Sequence, residues 1–149
     1  KKRPSFLGFD GGVGGLNKVM SGFATVAQVY SGDALKAREE EDSEIQYILP
    51  EEGCEIWTDL VAIPRKAPNL DNAYAFINYL LEPEVGAKLA TYNRYATPNA
   101  AARAFIAEED LNNPVLYPSG PIMEKMEYMQ DLGPANRLYD EAWTMIKTQ

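Results

Sequence analysis

The sequence predicts a mixed α/β fold with a helix-rich C-terminal part. Strand-like and helix-like runs alternate over residues 1–50, whereas residues 65–149 read almost entirely as helix punctuated by proline and glycine. The strands number roughly four or five and most are short, too few for one complete doubly wound domain. At 149 residues, 46% hydrophobic and 24% charged, the chain is long and apolar enough for a real core.

Residues 1–4 read as a ragged start and residues 5–9 as a short strand or turn. The Gly11-Gly12-Val13-Gly14-Gly15 cluster lacks the Gly-Lys-Ser/Thr ending of a phosphate loop, so a loop entering a helix over residues 16–21 is the better reading. Ser21-Gly22 closes that helix. Residues 24–30 (A-T-V-A-Q-V-Y) form a buried strand, and Ser31 or Asp33 caps the helix that follows. The run Glu39-Glu40-Glu41-Asp42-Ser43-Glu44 is a solvated helix end and loop. Residues 45–49 (I-Q-Y-I-L) make another strand, stopped by Pro50.

Ala73, Phe76, Ile77, Leu80 and Leu81 recur at amphipathic helical spacing, with Tyr74 and Tyr79 off the stripe as packing residues. Pro83 suits the first turn of the next helix, whose inner side is Val85, Leu89 and Tyr92. A helix over residues 100–106 follows, then an ordered, proline-punctuated loop over 111–121 pinned by Tyr117-Pro118. Residues 122–130 read as helix, with Met123, Met126, Tyr128 and Met129 as core or groove lining. Beyond the Gly133-Pro134 break, residues 136–147 form a last helix with Leu138, Trp143 and Ile146 inward.

Composition narrows the chemistry. There is no histidine and a single cysteine, Cys54, which removes Ser-His-Asp triads, Cys-His dyads, the common zinc sites and any internal disulfide. Carboxylate-pair, lysine and carboxylate-metal chemistry stay open. A net charge of −8, from 22 acidic and 14 basic residues, argues against nucleic acid as a partner and mildly for cations. No run approaches the ~18 apolar residues of a membrane span, and the expectation is a soluble protein, cytosolic or already processed.

The most informative stretch is residues 54–64, C-E-I-W-T-D-L-V-A-I-P, with a strand over 60–63. Trp57 and Asp59 lie two apart, so on a strand they share a face. An aromatic plate beside a carboxylate suits an organic cation. The competing reading is a core tryptophan beside a solvated aspartate. Tyr30 and Asp33 stand at the carboxyl end of a strand, where open α/β sheets place ligands, although Asp33 is equally explained as a helix cap.

The order of these landmarks resembles the substrate-binding proteins of ABC transporters for polyamines, the spermidine/putrescine type. The resemblance rests on V-A-Q-V-Y-S-G-D-A-L-K-A-R, Y-I-L-P-E-E-G-C-E-I-W-T-D-L-V-A-I-P, A-Y-A-F-I-N-Y-L-L-E-P-E-V and Y-A-T-P-N-A-A-A-R, then L-Y-P, Gln130-Asp131 and a final amphipathic helix. It covers nearly all of residues 5–149 and implies a periplasmic-binding-protein type II-like fold, here an incomplete two-lobe one. Residues 1–50 would be the remainder of the second α/β lobe, 51–64 the return hinge crossover and strand, and 65–149 a helical part packing on the first lobe and hinge. The chain would be a carboxyl-terminal half whose N-terminal half is missing.

The resemblance further implies a non-catalytic solute receptor in the periplasm or otherwise outside the cytoplasm, free or lipid-anchored in a longer precursor. It would deliver putrescine or spermidine to an ABC permease, with no cofactor, metal or nucleic acid. Its ligand residues would be Tyr30, Asp33, Trp57, Asp59, Tyr95 and Gln130, with Glu55 as an additional acceptor. The alternatives are the same fold binding a sugar, a ferric ion or an anion, a glycosidase using Asp33 and Asp59 as a carboxylate pair, and an interaction module.

Overall fold

A computed structural model describes residues 5–40 and 43–148. The expected ragged start at 1–4 and the Glu41-Asp42 part of the acidic run lie outside the described residues. The fold is mixed but mostly helical: α1 (Gly14–Met20), α2 (Ser31–Glu40), β1 (Glu55–Ile56), α3 (Leu70–Leu80), α4 (Pro83–Asn93), a 3₁₀ helix (Ala100–Phe105), α5 (Glu108–Leu111), α6 (Gly120–Met123), β2 (Glu127–Tyr128), a 3₁₀ turn (Gly133–Ala135) and α7 (Asn136–Thr148). Among the described residues the sheet is one two-stranded parallel pair, with Glu55 opposite Glu127 and Ile56 opposite Tyr128.

The glycine cluster is a turn, as its composition indicates. Gly14 N–H donates to Gly11 O at 3.1 Å, Gly12 takes a left-handed φ of 55°, and α1 starts directly afterwards. The expected strands over 24–30, 45–49 and 60–63 are not in a ladder among the described residues. Residues 43–50 still alternate between half-buried and exposed as a strand would. Having no sheet to cover them, Val26, Ile48 and Leu60 stand open to solvent, Leu60 at 85% exposure.

The tightest packing is where α4 meets the 3₁₀ helix. Ala87, Ala102 and Ile106 are buried together, with Ala90, Leu111 and Tyr117 against them. Asn99 organises the junction: its Oδ1 accepts from Ala101 N–H at 3.1 Å and its Nδ2 donates to Leu81 O at 2.8 Å. The α4 face directed inward is therefore Gly86, Ala87 and Ala90; of the expected Val85, Leu89 and Tyr92, Val85 is half-buried, whereas Leu89 and Tyr92 are exposed, Tyr92 at 71%. Small residues sit there because the 3₁₀ helix approaches closely: a Cβ on Gly86 would already be in van der Waals contact with Ala102 Cβ at 3.5 Å.

Other expectations change in the C-terminal third. Residues 122–130 are not one helix. The helical turn that starts at Gly120-Pro121 ends at Met123, and Glu127 N–H donates instead to Cys54 O at 3.1 Å to begin β2. The loop over 111–121 is ordered as expected, Leu116 being buried and Tyr117 packed under the Arg103 guanidinium. Helix α7 forms, but Leu138, Trp143 and Ile146 stay exposed rather than inward; Phe9 meets the Trp143 ring edge-on at 4.6 Å. On α3 Ala73, Ile77 and Leu80 are half-buried, while Phe76 and Leu81, expected on that face, and Tyr74 and Tyr79, expected to pack, are exposed.

Candidate functional site

Four of the six expected ligand residues come together. Helix α2 begins at Ser31, so Tyr30 rather than Ser31 or Asp33 holds the N-cap position, its carbonyl accepting from Ala34 N–H at 3.2 Å. Asp33 sits within the first turn, where the exposed N–H groups favour a negative charge. Gly32 is buried because the Tyr95 ring lies on it, and a Cβ at that position would overlap Cε2, Cζ and Cδ2 of Tyr95. The ring of Trp57 stands between two others. Its centroid is 5.2 Å from that of Tyr30 and 6.1 Å from that of Tyr95, edge-to-face in both cases.

Trp57 is held from both sides of its own position. Before it, β1 pairs with β2, and Gly53, at φ 103°, passes so close to the Lys125 carbonyl that a side chain there would collide with it. After it, Thr58 Oγ1 and Tyr128 Oη share a hydrogen bond of 3.1 Å. Tyr95 is fixed by the end of α4, where its N–H donates to Ala90 O at 3.2 Å.

The electrostatics are those of an anionic, partly dry corner. Burial raises the Tyr95 phenol above its ordinary pKa, the Asp33 carboxylate adds to the rise, and the Gly32 backbone amide offsets part of it. Asp33 is half-buried, yet among the described residues it makes no ion pair or hydrogen bond; the ion pairs involve Asp10, Glu39, Glu40, Asp110 and Glu141 instead. No lysine or arginine among the described residues covers the rings of Tyr30, Trp57 or Tyr95, and Tyr30 and Trp57 remain open to solvent. The corner thus offers π-faces and a carboxylate with no positive charge of its own, the complement of an organic cation.

Asp59 and Gln130 are not drawn into this cluster. Both are exposed, and among the described residues neither makes a side-chain hydrogen bond or ion pair with it. Each lies a few residues beyond its strand of the β1–β2 pair. Glu55 is likewise exposed, on β1. Tyr47 went unpredicted: burial raises its phenol, Cys54 beside it adds to the rise, and its charge is felt at Tyr95. The alternation of Ile45, Tyr47 and Leu49 on one side of an extended segment is the sequence signal that could have found it. Among the described residues no group of three or more acidic or cysteine side chains is arranged to hold a metal.

The sequence profile of the bacterial extracellular solute-binding proteins matches residues 16–118, a span that contains Tyr30, Asp33, Trp57, Asp59 and Tyr95. The chain belongs to that family. Within these solute-binding proteins it is similar to the spermidine/putrescine-binding periplasmic protein of Salmonella typhimurium, 35% identical over 131 residues that cover 88% of this chain and 37% of the relative. The putrescine-binding periplasmic protein SpuD of Pseudomonas aeruginosa is 35% identical over 139 residues, 89% of this chain and 38% of the relative. Spermidine/putrescine-binding periplasmic protein 1 of Haemophilus influenzae is 31% identical over 147 residues, 99% of this chain and 40% of the relative. The chain therefore spans well under half the length of these curated solute-binding relatives.

Proposed function

We propose that the protein is a non-catalytic receptor that works in the periplasm, binds a polyamine of the putrescine/spermidine class and delivers it to an ABC permease. The observation that carries this reading is the half-buried Asp33 carboxylate, unpaired among the described residues, beside the Tyr30, Trp57 and Tyr95 rings. The names of the relatives point to the same ligand class. A linear diamine needs an anionic acceptor at each end and apolar plates along its methylenes. Asp33 serves one end. Asp59 serves the other, with Gln130 as a further polar contact, once a second lobe closes over the ligand.

This reading includes a division of labour along the chain. Residues 1–50 complete one α/β lobe, 51–64 cross the hinge, and 65–149 pack on the other lobe and the hinge. The extended, uncovered segments around Val26, Ile48 and Leu60 support it, because strands with apolar side chains ordinarily sit in sheets. The remaining strands of those sheets then belong to the portion of the relatives that this chain does not span. Titrating the intact protein with putrescine and spermidine while following tryptophan fluorescence tests the assignment, since Trp57 lines the site. Saturable change with the amines and none with a neutral amino acid is expected; no response to either amine would sink it.

A further inference from the structure

Immediately before Tyr95, Arg94 holds an arrangement that the proposed ligand contacts do not explain. It occupies the C-cap of α4 in the left-handed region, at φ 57° and ψ 40°, the one non-glycine residue with positive φ among the described residues. The usual residue there is glycine, which has no Cβ to clash, or asparagine, whose short polar side chain hydrogen-bonds locally and tolerates that conformation. The guanidinium is largely buried, 12% exposed, and reaches two other helices. Its Nη2 is 2.6 Å from Glu39 Oε1 at the end of α2, and its Nη1 donates to Asp110 Oδ1 on α5 at 2.9 Å. Its Nε is buried with no hydrogen-bond partner among the described residues. A residue that tolerates both a disfavoured backbone and an unsatisfied donor is there for its two ion pairs.

Those pairs tie the end of α2 to the residue that precedes Tyr95, while the start of α2 supplies Gly32, on which the Tyr95 ring rests. We propose that Arg94 is a positioning residue: by clamping α2 through Glu39 and α5 through Asp110, it fixes the Tyr95 ring on Gly32 and so sets the spacing between the aromatic wall and Asp33. Lysine cannot replace it, since a single ammonium does not present two separated donors in a fixed plane. The consequence for binding rests on the proposed cation site. The consequence for ring placement does not.

The test uses Arg94→Asn in the intact protein, because asparagine accepts the left-handed backbone but is too short to reach either carboxylate. The NMR cross-relaxation between the Tyr95 ring protons and Gly32 Hα, without ligand, reports the ring's placement. Arg94→Asn is expected to weaken that cross-peak and to lower putrescine affinity on the order of tenfold through lost preorganisation. The double change Arg94→Asn with Asp110→Asn, which leaves no uncompensated buried carboxylate on α5, should restore thermal stability without restoring the cross-peak. Gly32→Ala, which keeps the clamp and displaces the ring from below, should cost binding by a similar factor. An unchanged cross-peak in either the single or the double variant would overturn the clamp. If the unaltered protein binds no diamine, the proposed function fails while the cross-peak still decides the role of Arg94.

Discussion

Replacing Asp33 by asparagine separates a binding carboxylate from a helix-capping one. The side chain sits in the first turn of α2, half-buried, with no cation and no hydrogen-bond donor of its own among the described residues. As a helix residue it contributes the interaction of a negative charge with the N-terminal amides, about 0.3–1 kcal/mol. Against that stands the cost of holding an unpaired carboxylate partly out of water, so Asp33→Asn should shift folding stability by no more than about 1 kcal/mol in either direction. As a ligand residue it makes a charge-assisted hydrogen bond to an ammonium, about 1.5–3 kcal/mol, which corresponds to roughly a 10- to 150-fold rise in Kd. Calorimetric titration with putrescine beside a thermal melt of the same sample reads both quantities. A melt that collapses while affinity holds would refute the reasoning and return Asp33 to a structural role.

Other outcomes follow from the same geometry. Trp57→Ala removes two edge-to-face ring contacts and should weaken diamine binding strongly, whereas Trp57→Phe, which keeps a plate, should stay within about tenfold of the unaltered protein by titration. Asp59→Asn should cost more than the ~1 kcal/mol of a screened surface pair, measured as Kd in the intact protein, because closure over the ligand would shield it. In an ultraviolet titration to alkaline pH, Tyr95 and Tyr47 should ionise above the ordinary tyrosine value, since burial raises both. A raised folded-state pKa stabilises the fold below the ordinary tyrosine value and loses that contribution as pH climbs through the raised one. Ala102→Leu should destabilise by about 1–3 kcal/mol in a thermal melt, because Ala102 is fully buried against Ala87 and Ile106.

The parts of this structure that could be read from sequence are those written locally. Pro83 at the first turn of α4 and the amphipathic run of α3 mark helices by short-range chemistry, and both helices form. Strand β2 could not be read that way. Glu127 and Tyr128 lie among methionines at helical spacing, and what makes them a strand is a parallel partner about seventy residues earlier. The burial of Gly86, Ala87 and Ala90 in place of Leu89 and Tyr92 likewise depends on how closely the 3₁₀ helix approaches.

At the site, Tyr30 and Asp33 were legible as neighbours because one helix start holds both. The i, i+2 rule singled out Trp57, which does join the ring cluster, but it also paired Trp57 with Asp59, which stays outside that cluster. Only family resemblance linked Tyr95 to Trp57, since they meet through tertiary packing. Tyr47 and Arg94 were missed for opposite reasons. Tyr47 had an alternation signal that the strand reading absorbed, whereas nothing in N-R-Y announces a left-handed arginine that spans three helices.

The most direct test of cation recognition compares putrescine with butane-1,4-diol, which has the same carbon spacing and no charge, in calorimetric titrations of the intact protein. Saturable heat with putrescine, abolished or strongly weakened by Asp33→Asn, and none with the diol, is the predicted result. Equal binding of the two, or binding of putrescine that ignores Asp33, would contradict the account.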